Sequence, residues 1–150
     1  MPAKPIPEGY RSVTPYLIIK GAAAAIDYYR RAFGATETVR MPGEKGTVMR
    51  AEIRIGDSMV MLADENPGSP WRAPGESGPG VTLVLYVPDV DAVFARAVAA
   101  GASVQRPVAD QFYGDRMGTL RDPFGHVWTL GTHIEDVSPE EMRRRMQAQR

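Results

Sequence analysis

The chain has 150 residues, of which 43% are hydrophobic and 24% are charged, as expected of a globular domain that buries its own core. Eighteen basic residues balance eighteen acidic ones, so the formal net charge is zero, which argues against a nucleic-acid partner. The absence of cysteine excludes disulfides, thiolate metal sites and a cysteine nucleophile, and favours a reducing compartment.

No stretch of the sequence has the length and apolar character of a signal peptide or of a membrane span. We therefore expect a cytoplasmic protein that contacts neither a membrane nor nucleic acid. A small organic molecule is the partner that this composition favours.

The first predicted unit spans residues 13–63. It opens with a strand-like run that ends at the turn residue Gly21. A helix follows, with apolar residues at helical spacing, and ends at Gly34, a residue suited to a left-handed cap. The later part alternates as a strand does, with apolar residues on one side and Arg50 and Glu52 on the other.

Residues 64–80 are rich in proline, glycine and serine and are predicted to form a linker. Trp71 lies within it. Two interpretations of Trp71 stay open: a lid over a pocket, or an aromatic side chain that covers the contact between the two halves of the chain.

Residues 81–132 repeat the pattern of the first unit. A strand-like run begins Val-Thr at residues 81–82, as the first unit does at 13–14, and leads through Asp89 into a helix that ends at Gly101. Two short strands are then joined by the turn 122–125. A final helix is predicted over 138–149. The fold class is therefore α+β, with two tandem βαβββ units.

Three segments carry a family resemblance: the strand-to-helix junctions YLIIKGAAAAIDYYRRAFGA and LYVPDVDAVFARAVAAGA, and the later run GDRMGTLRDPFGHVWTL. The chain resembles the vicinal oxygen chelate superfamily, which includes glyoxalase I, extradiol dioxygenases and bleomycin-resistance proteins. The trailing THIEDVSPEE resembles its PhnB-like branch. The resemblance implies that each sheet curls into a half-barrel with a concave pocket on one side and helices on the other. It also implies a homodimer.

On such a fold, strand alternation decides which residues line the cavity. Leu17, Ile19 and Leu85 are expected to pack against the helices. The residues expected on the cavity side of the two leading strands are Thr14, Tyr16, Ile18, Thr82, Val84 and Tyr86.

Metal-dependent members of the superfamily hold a ligand early in the leading strand and another on the last strand of each unit. The corresponding residues here are Thr14, Thr82 and Thr129, with Val60 or Met61 at the fourth position. Neutral threonine hydroxyls and apolar side chains are poor substitutes for histidine or carboxylate ligands. We therefore predict no metal and no cofactor.

The chain contains two histidines. His126 lies in the turn DPFGHVW, where we expect a structural role. His133 follows the last strand, where a surface role is expected.

Few polar groups remain that can bind or react. Arg50 and Glu52 project together from one strand, either into the cavity, where Glu52 is a candidate general base, or as an exposed ion pair. Tyr113 and Arg116 lie in a loop that the resemblance places at the pocket mouth, where they orient a polar ligand or simply stabilise a hairpin.

The sequence thus predicts a metal-independent protein that binds a small molecule, resembling PhnB-like and bleomycin-resistance proteins. The alternative is a glyoxalase-, dioxygenase- or isomerase-like enzyme that uses a noncanonical metal site or Glu52 as general base. The predicted ligand-binding residues are Thr14, Tyr16, Arg50, Glu52, Thr82, Tyr86, Tyr113, Arg116 and Thr129.

Overall fold

The computed structural model describes residues 3–149 and divides into two compact units, Met1–Gly78 and Pro79–Arg150. The elements of the first unit are β1 (Tyr16–Ile19), α1 (Ala22–Phe33), β2 (Thr36–Pro42), β3 (Val48–Ile55) and β4 (Ser58–Asp64). Those of the second are β5 (Leu83–Tyr86), α2 (Val90–Ala99), β6 (Ser103–Asp110), β7 (Asp115–Arg121), β8 (Val127–His133) and α3 (Pro139–Ala148).

The two sheets have the same topology. Their strand orders are β1-β4-β3-β2 and β5-β8-β7-β6. The leading strand of each unit runs parallel to the last one, and the other neighbours are antiparallel. The prediction of two tandem βαβββ units in an α+β fold is confirmed.

One face of the first sheet is closed by α1. Leu17 and Ile19 of β1 are buried, whereas Tyr16 is 41% exposed. The helix buries Ile26 and Tyr29 among others. Each large aliphatic side chain removed from water in this way contributes about 1.5–3 kcal/mol, so this face holds the core of the unit. The opposite face is free to carry polar and functional side chains.

The last strand of each unit also fastens the start of its helix. Asp64 Oδ1 accepts hydrogen bonds from the backbone N–H groups of Gly21 and Ala22 at 2.8 and 3.0 Å. In the second unit, Thr132 Oγ1 accepts from Val90 N–H at 2.9 Å. Both side chains satisfy donors that a helix N-terminus leaves unpaired.

The turn DPFGHVW is organised around the buried carboxylate of Asp122. Oδ1 accepts from the backbone N–H groups of Phe124 and His126 at 2.9 and 3.0 Å, and Oδ2 accepts from Trp128 Nε1 at 2.9 Å. Trp128 is itself buried. The motif therefore has a structural role: it forms the turn that joins β7 to β8.

Of the helices in the described part of the chain, none combines the length and the apolar character needed to cross a bilayer.

We predict that Asp122→Ala lowers the free energy of unfolding by at least about 2 kcal/mol, because each buried donor left without an acceptor costs about 1–3 kcal/mol. Urea denaturation followed by circular dichroism measures the change. Asp57→Ala is the matched control, since Asp57 lies in an exposed turn and its carboxylate accepts from Ser58 Oγ at 3.3 Å. Equal effects of the two substitutions would contradict the role given to Asp122.

Candidate functional site

The face of the first sheet opposite α1 brings together several predicted site residues. The register pairs Met61 with Tyr16 on one side and with Glu52 on the other, so these three side chains form one row across the sheet. The next row begins with the pair Ile18 and Ala63. Arg50 completes that row. The next residue of β3, Ala51, pairs with Leu62, so Arg50 lies opposite Ala63 in the antiparallel ladder.

Glu52 is held by two donors on this face. Its Oε1 accepts a hydrogen bond from the hydroxyl of Tyr10, and its Oε2 lies 3.4 Å from Arg50 Nη2. Tyr10 is only 8% exposed, so the segment that precedes β1 lies against the sheet here. Both carboxylate oxygens therefore have partners within the protein.

A hollow of about 420 Å³ opens at β1 and is lined by Tyr16, Ile18, Trp71 and Arg72. A smaller hollow of about 90 Å³ continues from it and is lined in part by Met49 and Ala63. The rings of Tyr16 and Trp71 are 6.2 Å apart between centroids, at an interplanar angle of 53°. Trp71 is 62% exposed.

The backbone around Trp71 is held by hydrogen bonds. Arg72 Nη1 donates to the backbone carbonyls of Ser69 and Trp71 at 2.6 and 2.8 Å, and the amide N–H of Ala73 donates to Glu65 Oε1 at 2.8 Å. The predicted linker is thus an ordered segment that presents Trp71 against β1. Of the two interpretations of Trp71, the contact with Tyr16 favours the side chain that covers a pocket.

The open face of the second sheet carries a chain of hydrogen bonds. Tyr86 donates to Asp115 Oδ2 at 2.7 Å. Asp115 Oδ1 lies 2.7 Å from His133 Nδ1, and His133 Nε2 lies 2.7 Å from Asp136 Oδ1. Asp115 is buried, whereas Tyr86 is 56% exposed. The network joins β5, β7, β8 and the segment that leads to α3.

This network shifts two protonation equilibria. The carboxylates of Asp136 and, to a smaller degree, Asp115 stabilise the imidazolium and raise the pKa of His133 above its ordinary value. The hydrogen bond to Asp115 favours the neutral phenol and raises the pKa of Tyr86. His133 is exposed, in agreement with the sequence prediction of a surface role, and it also links Asp115 to Asp136.

The remaining predicted residues of the second unit are dispersed. Thr129 Oγ1 lies 2.9 Å from Thr119 Oγ1 on the open face. The hydroxyl of Tyr113 lies 3.4 Å from Met117 Sδ. Thr82 is exposed and precedes β5, as half-buried Thr14 precedes β1 in the first unit. None of these contacts by itself defines a pocket among the described residues.

Arg116 does not join the others. It pairs with Thr132 across β7 and β8, and Thr132 points to the helix side, where it caps α2. Its guanidinium binds Asp91 with two hydrogen bonds of 2.9 Å and Asp110 with one of 2.9 Å. These two carboxylates raise its pKa further. Arg116 therefore does not lie at a pocket mouth, as the sequence analysis expected. It links α2 and β6 to β7 through Asp91 and Asp110.

The residues at the superfamily's metal positions do not fit a metal ion. The register makes Met61 the equivalent of Thr129, since they pair with Tyr16 and Val84 respectively. A thioether and three hydroxyls are a poor set for divalent zinc or iron. Over residues 3–149, no group of three or more histidine, aspartate or glutamate side chains is placed to hold a metal ion.

Two parts of these clusters have no signal in the sequence. Tyr10 lies outside every regular element and is 42 residues from Glu52 along the chain. Asp115 and His133 become neighbours only through the pairing of β7 with β8. The proximity of His133 to Asp136 in the sequence is the one local hint.

Residues 12–130 match the family described as the Glyoxalase/Bleomycin resistance protein/Dioxygenase superfamily. The chain belongs to this superfamily. An uncharacterized protein of Mycobacterium bovis is 42% identical over 142 residues, which cover 92% of this chain and 93% of that protein. The uncharacterized protein At5g48480 of Arabidopsis thaliana is 30% identical over 127 residues, which cover 77% of this chain and 76% of that protein.

Several solved structures resemble the chain over most of its length. TioX from Micromonospora sp. ML1 has a TM-score of 0.67 and 30% identity, and the match covers 83% of this chain and 99% of TioX. A PhnB protein from Bacillus cereus has a TM-score of 0.66 at 19% identity, covering 81% and 99% of the two chains. The latter likeness concerns the fold alone.

We predict that His133 stabilises the fold most at acidic and neutral pH. A raised pKa means that the stabilisation is complete below the unfolded value of about 6.5 and is lost as pH rises through the folded pKa. The melting temperature of the parent chain should therefore exceed that of His133→Asn below pH 6.5, and the difference should shrink at alkaline pH. A difference that stays constant between pH 5.5 and 9 would contradict this assignment.

Proposed function

We propose that this chain is a metal-independent small-molecule-binding protein of the PhnB-like or bleomycin-resistance type, and that its ligand occupies the hollow of the first unit. The observation that carries the proposal is the exposed aromatic pair, Tyr16 and Trp71, facing one hollow of about 420 Å³. Pockets for small molecules commonly have volumes of about 300–1,000 Å³ and mostly apolar or aromatic walls.

The backbone behind the aromatic pair supports the same proposal. Tyr16 is part of a strand, and Arg72 donates hydrogen bonds to the backbone carbonyls of Ser69 and Trp71. A preorganised wall loses less conformational freedom when a ligand binds. A planar organic molecule that packs against both rings is the occupant that this geometry favours.

The enzymatic alternative requires Glu52 to accept a proton from a substrate. Its Oε1 accepts from the Tyr10 hydroxyl and its Oε2 lies 3.4 Å from Arg50 Nη2, so a substrate would compete with both groups for this carboxylate. The geometry favours binding over this reaction. A homodimer remains part of the proposal on the strength of the superfamily resemblance, and a cytoplasmic location on the strength of the amino-acid composition.

The chain contains two tryptophans, which allows a direct test. Titration with the neutral planar probe 2-naphthamide should shift the indole N–H resonance of Trp71 in a proton–nitrogen correlation spectrum and leave that of buried Trp128 in place. Trp71→Ala should weaken binding about tenfold, which corresponds to about 1.4 kcal/mol.

Val104→Ala is the matched control for this experiment, because Val104 is a 49% exposed apolar residue of β6, at the edge of the second sheet. It should leave the affinity unchanged. Absence of any shift at Trp71, or an equal loss of affinity in the control, would contradict binding at this hollow.

The metal-independent part of the proposal is tested separately. Zinc, nickel, manganese or ferrous iron should not raise the melting temperature, because threonine and methionine stand at the ligand positions of the superfamily. Elemental analysis of protein purified without chelator should find no stoichiometric metal. One equivalent of bound metal, with a clear rise in melting temperature, would overturn this part.

A further inference from the structure

The segment that precedes β1 is held to the first sheet by one side chain. Over residues 3–13, every residue is exposed except Tyr10, which is 8% exposed. The hydroxyl of Tyr10 donates to Glu52 Oε1. The remaining hydrogen bonds of this segment join its own residues, as when the N–H of Tyr10 donates to the carbonyl of Pro7 at 3.0 Å. Within the described part of the chain, Tyr10 is therefore the single anchor of this segment.

Residues 3–13 form a strap that can leave the sheet without unfolding it. Ordering a chain costs conformational freedom at every residue, and in the strap only one buried ring and one hydrogen bond to the sheet offset that cost. The strap contains no helix or strand. Terminal segments with so few buried contacts open locally at a small fraction of the free energy of global unfolding.

The surface that receives Tyr10 places an acceptor between two apolar side chains. Glu52 pairs with Val39 of β2 and with Met61 of β4, and directly paired residues project to the same face of a sheet. Val39 is 36% exposed. A carboxylate flanked by apolar side chains suits an aromatic ring that carries a hydroxyl group. The phenol of Tyr10 has this chemistry.

Glu52 depends on Tyr10 for its close hydrogen bond. Its other oxygen, Oε2, lies 3.4 Å from Arg50 Nη2, whereas a charge-assisted hydrogen bond of this type is normally about 2.7–2.9 Å long. The side chain of Glu52 is only 16% exposed while the strap is in place. Departure of the strap therefore uncovers a carboxylate oxygen that can accept a hydrogen bond from a ligand.

We propose that the strap is an autoinhibitory element whose Tyr10 occupies a site for a phenolic ligand on the open face of β3. Such a ligand binds by displacing Tyr10: its hydroxyl donates to Glu52 Oε1, and its ring packs over Val39 and Met61. The site is separate from the hollow at Trp71, because β4 lies between β3 and the strand that carries Tyr16. The free chain is closed at Glu52 by its own tyrosine.

Isothermal titration with p-cresol, the free analogue of a tyrosine side chain, tests the proposal. Tyr10→Ala should bind p-cresol at least about tenfold more tightly than the parent chain, because no tethered tyrosine competes for the site. Tyr10→Phe keeps the ring without the donor and should lie between the two. In Tyr10→Ala, toluene should bind about tenfold more weakly than p-cresol, and adding Glu52→Gln should remove most of that preference.

Release of the strap is measured separately, by the proton–nitrogen heteronuclear NOE of residues 8–13. Saturating p-cresol should lower these NOE values in the parent chain to those of Tyr10→Ala, because the displaced segment becomes mobile. Ile6→Ala is the matched control: it truncates a 47% exposed apolar residue of the strap and should bind p-cresol as the parent chain does. Circular dichroism verifies that each variant is folded.

Three results would overturn the inference: equal affinity of the parent chain and Tyr10→Ala for p-cresol, no preference over toluene, or binding to the parent chain without a change in the NOE values. A fourth is p-cresol binding that shifts the Trp71 indole resonance and is insensitive to Glu52→Gln, since the probe would then occupy the hollow. The proposed function fails independently, because it depends on 2-naphthamide at Trp71 and not on p-cresol at Glu52.

Discussion

Each sheet is covered by a helix on one face only, and strand alternation then dictates what the other face carries. In the first unit, the buried residues Leu17 and Ile19 face α1, so Tyr16 and Ile18 must face away from it. The same parity puts Arg50 and Glu52 on the open face, since Ala51 and Ile53 are buried. The site is thus a direct consequence of how the core is built.

Side-chain hydrogen bonds at the ends of the strands keep the strands in register. A one-residue slip would move every side chain of a strand to the other face. Asp64 binds both the start of α1 and the backbone N–H of Val48, so it fixes β4 relative to the helix and to β3. At the two ends of β8, Thr132 bonds to the backbone at the start of α2, and Asp122 accepts from the Trp128 indole. The aromatic wall at Trp71 begins only a few residues beyond Asp64, on a chain already anchored.

The sequence patterns were sufficient to predict the repeat, the helix of each βαβββ unit and the strands in which apolar and polar residues alternate. They were weakest for β2 and β6, which lie at the sheet edges and are mostly exposed, so that no buried face imposes alternation. Arg116 shows a second limit, because its face depends on the register of β7, which the preceding turn sets. Tyr10 and the contact between Asp115 and His133 depend on tertiary pairing, for which a single sequence has no local signal.

The central claim is that a planar organic ligand lies against the aromatic pair Tyr16 and Trp71. The most direct test is a crystal structure of the protein with 6-bromo-2-naphthamide, in which anomalous scattering locates the bromine atom. We expect the naphthalene ring to lie in the hollow against both rings. A bromine peak on the open face of the second sheet, with none beside Trp71, would contradict the claim.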